Sequence, residues 1–380
     1  MAKRYLFTPG PTPVPPEVLA AVGAPVVHHR SPDFLPVYER VLTRLREVCR
    51  TEGDVLLFGA SGTGAFESAV ANLVSPGEPH LVVSAGNFGE RWAAMTAAYG
   101  AEVDSLRYAW GESPSADDLA ARLREREAKA VWLVQSETST GVVADVQSLA
   151  AAAKEAGALV VVDAVSSLGA VPCETDAWGL DVVVSGSQKA LMAPPGLGLA
   201  AVSEAAFGAV GSSPRFYFDW ARTRKAQSTL DAPFTPPVSL VAGLDVALGL
   251  LLDEGLDAAF ERHVRLGRAA RAGVKALGLE LFSPDEDRSA VVTAVRSPEG
   301  VDSGAVVKGV RERFGITIAN GQGDLKGKVF RLGHIGWFDV FDIAAALAAV
   351  ELSLTELGAD IERGVAVPKA FEAFEQRVAV

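Results

Sequence analysis

Lys189 lies in Ser185-Gly-Ser-Gln-Lys-Ala-Leu-Met-Ala-Pro-Pro-Gly196, a stretch with no other charge, directly after the apolar run Val182 to Val184. A solubilising surface lysine is the ordinary reading of such a residue. Partial burial at a strand end would instead lower its pKa and make it an amine nucleophile or general base. Asp163 ends a second apolar run, Ala158-Leu-Val-Val-Val162. It either caps the next turn or faces a cation in a cleft, as a protonated pyridine nitrogen would require. A third run ends in Gly59-Ala-Ser61-Gly62-Thr63-Gly64, whose small residues expose backbone N–H groups where a helix begins, a setting that suits phosphate. The same pattern also serves a plain tight turn. It is not a P-loop, because no Gly-Lys-Ser/Thr follows. The fourth is Ser136-Glu-Thr138-Ser-Thr-Gly141, a cluster of hydroxyls able to cap a helix or to bind a cofactor oxygen.

These four sites need a scaffold that brings strand ends together. From Val55 onward apolar runs alternate with amphipathic stretches: strands at Val55–Phe58, Leu81–Ser84, Glu102–Tyr108, Ala130–Gln135, Leu159–Asp163 and Val182–Ser185. Between them, helical spacing spans 64–74, 88–99, 116–127 and 146–156. That alternation predicts an α/β fold, a mostly parallel sheet sandwiched by helices, with ligands at the carboxyl ends of the strands. Long helices are expected over 240–252 and 256–277, and the sparser strands and helices after them form a smaller α+β domain. The expected division is a large domain of residues 17–255 and a second unit made of 1–16 plus 256–380. The proline-rich opening, Thr8 to Pro16, excludes a helix and predicts an extended arm over the surface.

With 380 residues, 49% of them apolar and 22% charged, the chain has ample core material. The net charge of -12 argues against nucleic acid or an anionic membrane as partner. No apolar run reaches transmembrane length and the first residues do not read as a signal peptide, so a cytoplasmic location is expected. Cys49 and Cys173 are the two cysteines and fit no metal or disulfide framework, so no metal site is expected.

Taken together, Ser136–Gly141, Val162-Asp-Ala-Val-Ser-Ser-Leu-Gly169 and Ser185–Gly196 resemble class V aminotransferases of fold type I, specifically the alanine/serine-glyoxylate group. The resemblance covers nearly the whole chain. It implies the cofactor pyridoxal 5'-phosphate, with Lys189 as the Schiff-base lysine and Asp163 as partner of the pyridine nitrogen. It further implies that Gln188 and the turn Ser61-Gly62-Thr63 hold the phosphate, that Val165 and Phe88 cover the two ring faces, and that Thr138 sits near the ring hydroxyl. Arg331 matches the arginine that grips a substrate α-carboxylate. The family's homodimer donates a threonine to its neighbour's site, matched here by Thr235, although the tyrosine some members place three residues earlier is Ala232. The implied reaction is a ping-pong transfer of an amino group from a small amino acid to a 2-oxo acid such as glyoxylate or pyruvate.

For the donor, His28-His29-Arg30 follows the proline arm, which the resemblance implies lines the active site near the substrate, and offers imidazoles beside a guanidinium, which would suit a distal phosphate or carboxylate. That favours phosphoserine or aspartate over alanine, while helix capping or subunit packing remains open for the same cluster. A lyase on the same fold is the rival reading. Its desulfurase form needs a cysteine in the small-domain half, where none follows Cys173. A non-catalytic scaffold would have little use for Lys189, Asp163 and Arg331 together, since unpaired polar groups at a cleft are costly.

Overall fold

The structure is a computed structural model that describes residues 4–284 and 289–376. Its centre is a seven-stranded sheet with the spatial order Asp54–Phe58, Gly198–Val202, Val182–Gly186, Leu159–Asp163, Ala130–Val134, Pro79–Ser84 and Glu102–Arg107. The last five of these run parallel to one another, whereas Gly198–Val202 is antiparallel to both strands it separates. Side chains alternate between two buried faces. Leu81, Val83, Val131, Leu133, Val160 and Val162 join one core, while Val82, Trp132 and Val161 join the other. Burial on both faces is why these strands read as continuous apolar runs.

Helices cover both faces, among them Gly62–Leu73 and Asn87–Ala98, which start at the sheet's carboxyl edge. Phe66 and Trp92 stack with centroids 4.2 Å apart, and Trp92 leans on Trp132 at 4.8 Å, so aromatic packing fixes these two helices relative to each other and to the sheet. Trp132 completes the layer by donating its indole N–H to His80 Nδ1 at 3.2 Å.

A second core gathers around the strands Val292–Arg296 and Val329–Gly333 and the helices Leu256–Ala276, Ser303–Phe314 and Val340–Glu356. Phe7 belongs to this core, because Tyr5–Leu6 pairs with Ile316–Thr317. The proline-rich arm therefore does not lie over the surface as its composition suggests. Phe7 is 1% and Thr12 4% exposed, and the arm threads inward between the cores. The reason is tertiary: the Thr12 N–H donates to the Gln188 carbonyl at 3.2 Å, and the Thr12 hydroxyl donates to the Lys189 carbonyl at 3.1 Å.

Candidate active site

Strands end at Phe58, Ser84, Val134, Asp163 and Gly186 on one edge of the sheet, and the residues that follow them converge on a cavity of about 190 Å³. Its lining includes Ser61, Gly62, Thr63, Phe88, Asp163, Val165, Gln188 and Lys189. Of the residues expected to meet a cofactor, all but Thr138 and Thr235 line this cavity.

Lys189 is 9% exposed and donates from Nζ to the carbonyl of Pro9 in the arm. Burial is the main cause that lowers its pKa to about 8, with Arg331 and Arg91 adding to the fall and Asp163 opposing it. Asp163 is 4% exposed, and its Oδ1 accepts the Val165 N–H at 2.9 Å. Burial drives its pKa up to about 8, Glu137 adds to the rise, and Lys189 and Arg91 oppose it. An amine and an acid, both buried at one cavity, are thus drawn toward neutrality, so a cationic group beside Asp163 would be strongly stabilised.

At the start of helix Gly62–Leu73 Ser61 is the N-cap, its hydroxyl accepting the Gly64 N–H at 3.3 Å. A Cβ on Gly62 would sit 2.9 Å from Val165 Cγ2, so glycine is needed for the turn to close against the strand. Among the described residues the buried carboxamide oxygen of Gln188 has no hydrogen-bond partner; with the amide turned over, its NH2 would donate to an anion in the cavity.

Phe88 is set by Glu137, whose carboxylate accepts the N–H of Phe88 at 2.9 Å and of Gly89 at 3.3 Å. An anion at the first turn of a helix is the favourable arrangement there. Thr138 is buried beside the cavity, where its carbonyl accepts from Arg331 at 2.8 Å. Arg331 is 6% exposed and gives its remaining close hydrogen bonds to the Asn320 carbonyl, at 3.1 and 2.8 Å. Among the described residues no carboxylate pairs with this guanidinium, and burial lowers its pKa to about 10. A buried cation hydrogen-bonded only to neutral acceptors among the described residues, with Glu137 favouring its charge from a distance, is prepared for an anion from outside.

The other expected residues lie elsewhere in the chain. Thr235 is exposed and lines a separate hollow with Tyr217 and Phe234. Arg30 is paired with Asp231 at 3.0 Å, with its side chain 54% exposed, and neither Arg30 nor His29 lines the cavity. Within one chain, Asp231 is thus the anion that pairs with the Arg30 guanidinium of the expected His28-His29-Arg30 pocket. Among the residues of the site that sequence reasoning did not name are Pro9 and Gly10 of the arm, and Arg91, which lines the cavity one turn after Phe88. Gly10 alone carried a signal, as a glycine between prolines.

Comparison with known proteins accords with this geometry. The model of the aminotransferase class-V family matches residues 4–326. The chain is 42% identical over 379 residues to the soluble hydrogenase 42 kDa subunit of Anabaena cylindrica, covering 98% of this chain and 99% of that protein. It is 37% identical over 382 residues to the serine–glyoxylate aminotransferase of Methylorubrum extorquens, covering 97% and 95%. The crystal structure of ureidoglycine–glyoxylate aminotransferase from Bacillus subtilis superposes with a TM-score of 0.93 at 30% identity, over 99% of both chains. The chain belongs to the class V aminotransferases of fold type I and is a pyridoxal-phosphate-dependent transaminase.

Proposed function

We propose that this transaminase moves the amino group of a small neutral amino acid, serine or alanine, to glyoxylate, with Lys189 as its catalytic amine. The observation that carries the reading is a buried lysine and a buried acid at one edge of the large sheet, together with a buried arginine from strand Val329–Gly333 of the small sheet that has no carboxylate partner among the described residues and acts on the lysine's pKa. Pyridoxal phosphate bound in the cavity supplies an aldehyde for the amino group and a ring that stores electrons. Ser61, Gly62, Thr63 and Gln188 would hold its phosphate, Val165 and Phe88 its faces, Thr138 its hydroxyl edge and Asp163 its ring nitrogen. Lys189 would pass a proton to and from the substrate carbon, a task suited to an amine whose pKa burial lowers to about 8. Arg331 would orient the substrate through its carboxylate.

The names of several relatives, serine–glyoxylate and L-aspartate–glyoxylate aminotransferase among them, share glyoxylate and differ in the donor. The Arg30–Asp231 pair removes the ground for preferring phosphoserine or aspartate. The hydrogenase name of the Anabaena relative finds no donor set in this chain, because among the described residues no three His, Cys, Asp or Glu gather as metal ligands. The lyase reading has no feature of the cavity in its favour.

The reading includes a homodimer in which Thr235 serves the neighbouring site, since it is exposed and does not line its own cavity, and Val26 and Phe216 leave apolar surface uncovered. It also includes residence in the cytoplasm: no helix of the described residues is long and apolar enough to cross a membrane, and Cys49 and Cys173 are free and buried. The boundary of the large domain is taken at Gly255, where φ of +89° separates two long helices. Half-reactions with serine, alanine, phosphoserine and aspartate, each followed by loss of the cofactor's absorbance band, test the donor. Fastest turnover with serine or alanine is expected; a preference for phosphoserine or aspartate overturns the choice.

A further inference from the structure

Arg91 is a cation at the cavity with no carboxylate beside it among the described residues. Its guanidinium carbon lies 4.7 Å from the centroid of the Phe88 ring, and Nη1 donates to Thr63 Oγ1 at 3.1 Å. One side chain thereby ties the start of helix Asn87–Ala98 to the start of helix Gly62–Leu73, the two helix ends that border the cavity.

The chemistry of the Thr63 contact has a direction. A guanidinium has donors only, whereas a hydroxyl has one proton to give and lone pairs to receive. Once Thr63 Oγ1 accepts from Arg91, its own proton must point at some other acceptor. Ser61 is in the same condition, since its hydroxyl already accepts the Gly64 N–H at 3.3 Å. Both hydroxyls at the mouth of the helix are left as donors, which is what an acceptor-only anion such as a phosphate monoester needs.

We propose that Arg91 is a positioning residue of the phosphate cradle, holding Thr63 Oγ1 as an acceptor so that the threonine proton is delivered to the cofactor's phosphate, and bracing the Phe88 ring. This rests on the reading above that helix Gly62–Leu73 receives the phosphate. The stacking on Phe88 uses the planar face of the guanidinium while its edge makes the hydrogen bond, a division of labour lysine lacks. The positive charge also acts at longer range, since it favours ionisation of Asp163 and the neutral amine of Lys189.

The test compares dissociation constants of pyridoxal phosphate and of pyridoxal, which lacks the phosphate, by absorbance titration of the full chain freed of cofactor. Wild-type protein must prefer the phosphorylated form; equal binding of the two refutes the phosphate site itself, separately from any role of Arg91. Arg91→Met is expected to reduce that preference about tenfold, equivalent to about 1.4 kcal/mol. Thr63→Val, nearly isosteric, is expected to give the same loss, and the double variant no more than either single one. A structural role alone would weaken both ligands alike. Unchanged preference in Thr63→Val, or losses that multiply in the double variant, overturn the proposal.

Discussion

Gly10 is the position at which a single added methyl group tests how tightly the arm seats the reactive amine. Its φ is +141°, and a Cβ built there would come within 2.5 Å of Lys189 Cδ and closer still to Cε and Nζ. Carbon contacts are comfortable at about 3.5–4.0 Å, so in Gly10→Ala the end of Lys189 must retreat by about 1 Å. The backbone conformation, which L residues rarely adopt, adds about 1–3 kcal/mol of strain. The lysine end is flexible and moves at little cost, so stability falls by about that strain alone. Reactivity suffers more. Displacement of a reacting group by about 1 Å costs about 10²-fold in rate, and the Nζ contact with the Pro9 carbonyl is lost with it. The assay mixes cofactor-free protein with pyridoxal phosphate, quenches with borohydride at intervals and measures the fixed fraction; urea unfolding supplies the stability. Gly10→Ala that traps cofactor at the wild-type rate would refute the claim that the arm and the lysine share this space.

Acid should destabilise the protein through its buried histidines. His80, His263 and His334 are fully buried, and burial holds His80 down to about 4 and the other two down to about 3. Between those values and about 6.5 the unfolded chain binds protons that the folded chain refuses, so stability is complete above pH 6.5 and declines as pH falls through that window. At pH 5.5 the loss is about 1.4 kcal/mol per histidine, or about 4 kcal/mol for the three, read as a lower urea midpoint than at pH 7.5. Equal midpoints would contradict the burial argument. Arg331→Met removes a charge-assisted contact worth about 1.5–3 kcal/mol, so kcat/KM for the amino donor should fall about 10- to 150-fold while cofactor affinity holds. A matching fall in cofactor affinity would show that Arg331 acts on the cavity as a whole.

The strand ends were legible because a strand buried on both faces is written as an unbroken apolar run, and the chemistry begins where the run stops. Asp163 and Lys189 were found in that way. The strand Gly198–Val202 was missed because its residues are small. A Cβ on Gly198 would lie 2.9 Å from the Ser61 carbonyl, so closeness to the helix that borders the site selects against the bulky residues that announce a strand. The inward course of the arm was hidden from composition, and only the family resemblance put the arm by the active site: prolines exclude a helix but do not say which surface an extended segment chooses, and the contacts of Thr12 with residues 188 and 189 are tertiary. Arg91 reads as an ordinary exposed helix residue until Thr63 is seen beside it. Arg30 illustrates the opposite case. A local cluster of His28, His29 and Arg30 looked like an anion site, and Asp231, 201 residues away, supplies the anion.

The most direct measurement concerns one covalent attachment. Protein saturated with pyridoxal phosphate is reduced with borohydride, digested, and searched by mass spectrometry for the lysine that carries the phosphopyridoxyl group. The account predicts that Lys189 carries it and that Lys189→Ala neither fixes the cofactor nor transaminates; attachment at a different lysine, or transamination by Lys189→Ala, would contradict it.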